Sequence, residues 1–371
     1  MKIAVLIGTR PGIIKMTPLV HECEKRKIDH LVIHTGQHYS ESMDADIIQD
    51  VNLKRVDYHI TRPEDCVTHA RQTAYMLTNI EDILMKEEPD VLLVCGDANT
   101  NLAGALAARK LHIKVGHVEA GLRSFDWRMP EEHNRIMIDH ISEFLFAPTE
   151  LSKKHLIDDG VTGDIFVVGN TIVDATLQNS ESFTLEIMEK KNQITNGQSY
   201  VILTSHREEN VDNRKILQGF IEALEEINRK SELQVIFPAH PRTQKRLDEF
   251  SLRKRIEAIE NLELVNPFGY KEFLCFLKNA AFVMTDSGGI QEECCILQTP
   301  CMTLRDNTER PETVEVGANR IVGTQKTDIV NNFLVLENND KSKNSWKNPF
   351  GDGLTSKRII DVSTTGKILD N

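Results

Sequence analysis

The sequence predicts two doubly wound α/β domains, and three observations carry that expectation. Short apolar, β-branched runs recur along the chain and end in a glycine or a polar cluster; they are nearly continuous rather than alternating, which suits strands buried on both faces. Segments with helical spacing separate them, and strand alternating with helix implies a parallel sheet covered by helices. The pattern starts afresh near residue 200, and 371 residues suit two domains at roughly 100–200 residues each.

In the first half the runs are KIAVLIG (2–8), HLVIHT (30–35), DVLLVCG (90–96), KVGHVE (114–119), FLFAP (144–148) and IFVVGN (165–170). In the second half they are YVILTS (200–205), LQVIFPA (233–239), LELVNP (262–267), AFVMTD (281–286), CMTLR (301–305) and RIVGT (320–324). Helical spacing covers Ile14 to Lys25, Ala74 to Glu87, Leu102 to Leu111, Arg214 to Lys230 and Lys271 to Asn279. The polar interval from Leu177 to Gln198 is the expected linker, with domains at 1–172 and 173–349. The tail after Leu336 is polar and then resumes a helical pattern at 354–362. No short-period repeat or long low-complexity tract interrupts this order.

Composition narrows the function classes. With 40% hydrophobic and 27% charged residues, two sizeable cores can be buried, and collagen-like or disordered readings are excluded. The 56 acidic residues outnumber the 44 basic ones, for a net charge of -12. A non-specific nucleic-acid binder needs the opposite balance. A small anionic ligand does not, because a few local Arg, Lys and backbone N–H groups suffice. The 7 cysteines form no CxxC pair, so a disulfide framework is not expected and a reducing cytoplasm is. The apolar run of MKIAVLIGTRP is too short for a signal peptide, and no segment approaches ~18 continuous apolar residues, so no membrane span is expected. The 13 histidines show no HxH, HExxH or Cys/His ligand spacing, and no metal is expected.

In an open parallel sheet, ligands bind beyond the carboxyl ends of the strands. After the first run comes Gly8-Thr9-Arg10-Pro11-Gly12, then Lys15. A helix start with two cations can hold an anion, although a tight turn with two solvated cations uses the same residues. After AFVMT comes Asp286-Ser287-Gly288-Gly289. Ser287 can cap the helix that follows, and two consecutive glycines are more than a cap requires; a diphosphate on this positive helix end is favoured over a simple capping box. Asp97 follows VLLVC. His117 and Glu119 share one face of a strand. Pro130-Glu131-Glu132, with Arg135 beyond, also reads as a helix start whose acids complement the dipole. Ser205-His206-Arg207, Ala239-His240-Pro241-Arg242 and Arg305 to Glu312 follow later strands. Singly, each has an ordinary structural explanation as a cap, a surface histidine or an ion pair. Gathered at many strand ends, such clusters are expected of a cleft between two domains.

GTRP, HVEAGLR (117–123), MPEEHNR (129–135), GNTIVDA (169–175), SHREEN (205–210), TDSGGIQEE (285–293) and RDNTERPE (305–312) occur here in one order. Together they resemble the non-hydrolysing UDP-N-acetylglucosamine 2-epimerases, over essentially the whole chain. The resemblance implies the GT-B architecture: two Rossmann-like domains facing a central cleft, with the C-terminal helix of 350–371 returning to the first. It implies a cytoplasmic homodimer that takes a UDP-sugar, needs no cofactor, and interconverts UDP-N-acetylglucosamine and UDP-N-acetylmannosamine. It also implies the route, elimination of UDP to 2-acetamidoglucal and readdition. By the same resemblance Asp97, Glu119 and Glu131 are the carboxylates for proton transfer, and His206 stands near the diphosphate, to stabilise or protonate the departing phosphate as an imidazolium. Arg10, Lys15 and the Ser287-Gly288-Gly289 helix end hold the diphosphate, Glu293 the ribose, Phe273 the uracil pocket, and Arg310 the sugar or phosphate. His117, Arg135 and Arg207 complete the substrate-binding set.

Two departures stand out. Gly12 replaces the family's usual Glu after Arg-Pro. Bacterial members often carry an allosteric UDP-N-acetylglucosamine site; Gln37-His38 and His240 keep part of its pattern, but Tyr39-Ser40 replace the rest, and substrate activation of that kind is not implied. Three alternatives stay open at this level: a C2 epimerase of a modified UDP-sugar such as UDP-2,3-diacetamido uronic acid, a hydrolysing epimerase that releases UDP, and a non-catalytic nucleotide-sugar-binding regulator. The RSFDWRMPEEHNR segment does not separate the first of these from the main reading.

Overall fold

Each apolar run of the first half becomes a strand in the computed structural model, which describes residues 1–37, 41–61, 63, 66, 68–181, 183–339 and 345–369. His38, Tyr39 and Ser40 lie outside the described residues. The chain divides into two compact units, Met1–Leu177 with Phe350–Asn371, and Gln178–Pro349. The first unit holds β1 (Lys2–Ile7), β2 (Asp29–His34), β3 (Tyr58–His59), β4 (Val91–Cys95), β5 (Lys114–Val118), β6 (Phe144–Ala147) and β7 (Asp164–Val167). They form a 7-stranded sheet in the order β3-β2-β1-β4-β5-β6-β7, and every pairing is parallel. The second unit holds β8 (Tyr200–Thr204), β9 (Gln234–Pro238), β10 (Leu262–Val265), β11 (Val283–Thr285), β12 (Cys301–Thr303) and β13 (Asn319–Ile321). These form a 6-stranded parallel sheet in the order β10-β9-β8-β11-β12-β13.

In both sheets the strand order reverses once, between β1 and β4 and between β8 and β11. Crossovers leaving the two strands at such a point go to opposite faces, which opens a crevice beyond their carboxyl ends. The continuous apolar runs are explained by this layering: β1 is buried from Ile3 to Ile7, and β4 along its whole length. On one face of the first sheet Ala4, Leu6, Leu92 and Val94 pack with Ile80, Leu84 and the alanines of the Asn99–Lys110 helix. That helix comes close because Gly104 has no side chain; a Cβ there would lie 2.2 Å from Leu6 Cδ2. In the second unit the Arg214–Lys230 helix buries Leu217, Phe220, Ile221 and Leu224 in a core shared with Phe282 and Phe333.

The interval expected as a linker is helical. Thr171–Ser180 and Leu185–Thr195 are both helices, and Thr184 Oγ1 caps the second by accepting from Ile187 N at 3.3 Å. The second packs into its unit through Met188, 3.7 Å from Cys275 Sγ, and through an ion pair of Lys190 with Glu272 at 2.6 Å. The division of the chain falls at Leu177, inside the first of these helices. The last helix, Thr355–Thr365, belongs to the first unit. Buried Asp174 accepts there from Thr355 N, Ser356 N and Ser356 Oγ at 3.2, 2.8 and 2.6 Å, and Arg26 donates to Asp361 at 2.6 Å. No described helix is long and apolar enough to cross a membrane. All seven cysteines are free thiols, six of them buried.

Candidate active site

In the first unit three carboxylates stand past the strand ends, each with different partners. Glu119 follows β5 directly and has a φ of 68°, a left-handed conformation costly for any residue but glycine. Its carboxylate is buried and accepts from Lys15 Nζ at 2.5 Å and Asn170 Nδ2 at 2.8 Å, with Cys95 Sγ 3.9 Å away. Asp97, past β4, pairs with Arg135. It is not the cap of the helix after it, whose cap residue is Ala98. Gly96 links the two acids: a Cβ on it would lie 3.3 Å from Glu119 Oε2. Glu131 stands in the first turn of the Pro130–Ile141 helix, the helix that carries Arg135, and makes no hydrogen bond or ion pair among the described residues. Its oxygens are available to a ligand.

Adjacent Glu132 has a structural part. It accepts from Ser124 N, Ser124 Oγ, Phe125 N and Arg135 Nη1 at 2.9, 2.8, 3.0 and 2.7 Å. Burial pushes its carboxyl up, but these donors outweigh burial and hold it below the usual range. His117 is also internal. Its Nδ1 meets Asp139 Oδ1 at 2.7 Å and its Nε2 meets the Gly96 carbonyl at 3.1 Å. Asp139 in turn pairs with Arg123 at 2.7 Å and accepts from Gly121 N at 3.3 Å. His117 thus holds the turn that carries Asp97.

The first loop is tight: a Cβ on Gly8 would come within 2.1 Å of Thr35 Oγ1 and 2.7 Å of Thr100 Oγ1. Thr9 caps the Arg10–Arg26 helix, its Oγ1 accepting from Gly12 N at 3.3 Å. Half-buried Arg10 makes no hydrogen bond or ion pair among the described residues, whereas Lys15 is committed to Glu119.

In the second unit the centre is Asp286, at the end of β11 and fully buried. Its Oδ2 accepts from Ser205 Oγ at 2.9 Å, His206 N at 2.9 Å, Arg207 N at 3.0 Å and Asn210 Nδ2 at 3.1 Å. Its Oδ1 lies 3.2 Å from His206 Nδ1. Burial raises this carboxyl, but His206, the backbone N–H of Arg207 and Ser205 bring it below the ordinary value. His206 follows β8, so the two groups meet across the switch point of this sheet.

Ser287 heads the Gly288–Ile296 helix, but its side chain makes no capping bond, contrary to the expectation of a capping serine. The first turn contains no acid. A Cβ on Gly289 would meet nothing within 4 Å, and one on Gly288 only Glu309 Oε2 at 3.7 Å. The helix start therefore faces open space with N–H groups its serine does not satisfy, the arrangement of an anion site. Further along the helix Glu292 pairs with Arg310 at 2.6 Å, and Glu293 is buried. Arg305 donates twice to Glu309, at 2.9 Å each. Burial alone would raise Glu309, but Arg305, aided by Arg207, holds it down at about 2. Phe273 is half-buried on the Tyr270–Asn279 helix.

Two of these groups, Asp139 and Asp286, lie outside the site residues that the sequence predicts. Asp286 carried a signal, standing at a strand end beside Ser287. Asp139 carried none, because its partners come from 16 to 22 positions upstream and meet it only through the fold.

The profile of the UDP-N-acetylglucosamine 2-epimerase family matches residues 21–364. The chain is 50% identical to the UDP-N-acetylglucosamine 2-epimerase of Methanocaldococcus jannaschii, over 99% of this chain and 100% of that protein. A crystal structure of the enzyme from that organism, in complex with UDP-GlcNAc and UDP, superposes with a TM-score of 0.88 at 49% identity, covering 98% of this chain and 99% of the other. A UDP-2,3-diacetamido-2,3-dideoxy-D-glucuronate 2-epimerase of Pseudomonas aeruginosa is 37% identical over 89% of this chain and 90% of its own length. Two Rossmann-like parallel-sheet units and these matches give the chain the GT-B fold class.

Proposed function

The chain belongs to the UDP-N-acetylglucosamine 2-epimerase family, and from that premise we propose that it interconverts UDP-N-acetylglucosamine and UDP-N-acetylmannosamine. The proton at C2 of the sugar is not acidic, because no carbonyl sits beside it. Elimination avoids the difficulty. A carboxylate takes the C2 proton as the C1–O bond breaks and UDP leaves, giving 2-acetamidoglucal. UDP then returns to C1 while a proton is delivered to the opposite face of C2. The sequence is redox-neutral and consumes no second substrate.

Proton transfer at one carbon from two faces needs acids in more than one state. The observation that carries the proposal is the trio of the first unit: Glu119 bonded to Lys15, Asp97 to Arg135, and Glu131 open to a ligand. His206 serves the departing diphosphate. Arg10 in the first unit, and Arg207 with the Ser287-Gly288-Gly289 helix start in the second, are the phosphate-binding groups, whereas Lys15, expected among them, is held by Glu119. Glu293 takes the ribose, Phe273 the uracil, and Arg310 the sugar or a phosphate. Arg135 and His117 act by holding Asp97 and its turn. A homodimer in the cytoplasm belongs to the same proposal, supported by the family resemblance and by seven free thiols.

Incubation with UDP-N-acetylglucosamine in D₂O, followed by NMR, tests the reaction. The expected product is UDP-N-acetylmannosamine carrying deuterium at C2. Free N-acetylmannosamine with UDP would make the enzyme a hydrolase instead. Binding without isotope exchange would make it a regulator, and exchange only with a 2,3-diacetamido uronic acid would move the substrate.

A further inference from the structure

We propose that Asp286 is the positioning residue for His206, holding the Nδ1 side of the imidazole so that Nε2 is the atom that gives and takes the proton of the diphosphate. The inference rests on the epimerase reading above. Oδ2 of Asp286 is saturated by Ser205 Oγ, His206 N, Arg207 N and Asn210 Nδ2, all within 3.1 Å. Oδ1 is left to the His206 residue, 3.2 Å from both its backbone N and its Nδ1. A buried carboxylate is costly unless paired and hydrogen-bonded, and this one answers both needs with the loop of residues 205–210. The other ring nitrogen, Nε2, makes no hydrogen bond among the described residues, and the side chain is 38% exposed.

The surroundings leave that assignment to Asp286. The His240 ring lies 5.5 Å from the His206 ring, but its Nδ1 already accepts from Arg242 N at 3.2 Å. Arg305, which feels the charge of Asp286, is bound to Glu309, with Glu209 at 3.5 Å. Glu208 is held by Arg242 at 2.7 Å.

The consequence is a one-atom proton path. As the C1–O bond breaks, imidazolium Nε2–H passes its proton to the leaving diphosphate oxygen, and the neutral ring keeps its remaining proton on Nδ1 against Asp286. On readdition Nε2 takes the proton back. Without the carboxylate the neutral ring also populates the form that keeps its proton on Nε2, which cannot accept one there.

Two measurements test this. In ¹⁵N NMR at alkaline pH, neutral His206 should carry its proton on Nδ1 in the native enzyme and move toward Nε2–H in Asp286→Asn. In turnover, Asp286→Asn should lower kcat about 100-fold or more, with KM changed less than about threefold, by analogy with loss of the orienting carboxylate in a hydrolase triad. Ser205→Ala removes a donor to the same carboxylate without touching the ring and should keep kcat within about threefold. An Nε2–H form in the native enzyme overturns the proposal. So does an equal fall of kcat in both variants, in step with their loss of Tm. The tautomer is read in the resting protein, so a failure of the epimerase reading would show separately, as no isotope exchange by the native enzyme.

Discussion

Each unit carries a buried aspartate against a histidine, and the two pairs are built for different ends. In the first unit Asp139 holds His117 by Nδ1, and the Gly96 carbonyl occupies Nε2. Neither residue is exposed, and Arg123 completes the cluster. In the second unit Asp286 faces Nδ1 of His206 and nothing among the described residues takes Nε2. A histidine with both nitrogens engaged inside the protein is a brace. One with a single nitrogen engaged and the other toward solvent can exchange a proton. The same pair of residue types thus separates into structure and chemistry according to what faces the second nitrogen.

The sharpest way to break this comparison is to replace the two histidines in parallel. His206→Asn should lower kcat by about 10²–10⁴-fold, the range for losing a general acid–base group, with Tm almost unchanged because the side chain is 38% exposed. Next in size, Asp139→Ala strips the buried His117 and Arg123 of their shared carboxylate. It should cost about 3–5 kcal/mol of stability, read by denaturant unfolding. A variant as stable as the native chain but inactive would show that His117 is chemical after all, and the contrast would be lost.

That contrast also marks how far the sequence could be read. The switch points were legible, because apolar runs ending in polar clusters at β1, β4, β8 and β11 are a local pattern. The two-residue β3 was not: Tyr58–His59 pairs only at a sheet edge and has no apolar run of its own. The Leu185–Thr195 helix reads as linker in the sequence because its apolar content is low; only its contacts with Cys275 and Glu272 make it part of a unit. At the site, residue types were legible and their partners were not. Nothing in the spacing of Asp97 and Arg135 reveals an ion pair across 38 positions, or that Lys15 meets Glu119 across 104. Those pairings are products of strand order.

Acid sharpens the comparison at a smaller scale. Glu309 in the second unit and Glu132 in the first are both held below their ordinary values by arginine and other donors. A carboxyl lowered in the folded state stabilises it above the unfolded value and loses that contribution as the pH falls through the folded one. For Glu309 the window runs from 4.5 down to about 2. Glu309→Gln should cost at most about 3 kcal/mol at neutral pH and nearly nothing at the bottom of that window. A cost independent of pH would mean that packing, not the Arg305 pair, holds this loop.

The smallest expected effect concerns two helix starts, one in each unit. Thr9 caps its helix by accepting from Gly12 N, whereas Ser287 makes no such bond. Thr9→Ala should therefore cost about 1 kcal/mol, the ordinary price of a lost cap. Ser287→Ala should cost less than about 0.5 kcal/mol when measured without ligand. The order reverses if the diphosphate sits where proposed, because Ser287 then spends its hydroxyl on the ligand. The rise in Tm on adding saturating UDP should be smaller in Ser287→Ala than in the native enzyme. Equal loss of ligand-free stability in the two variants would show that both serve only as caps, and that the open helix start of the second unit has no anion to receive.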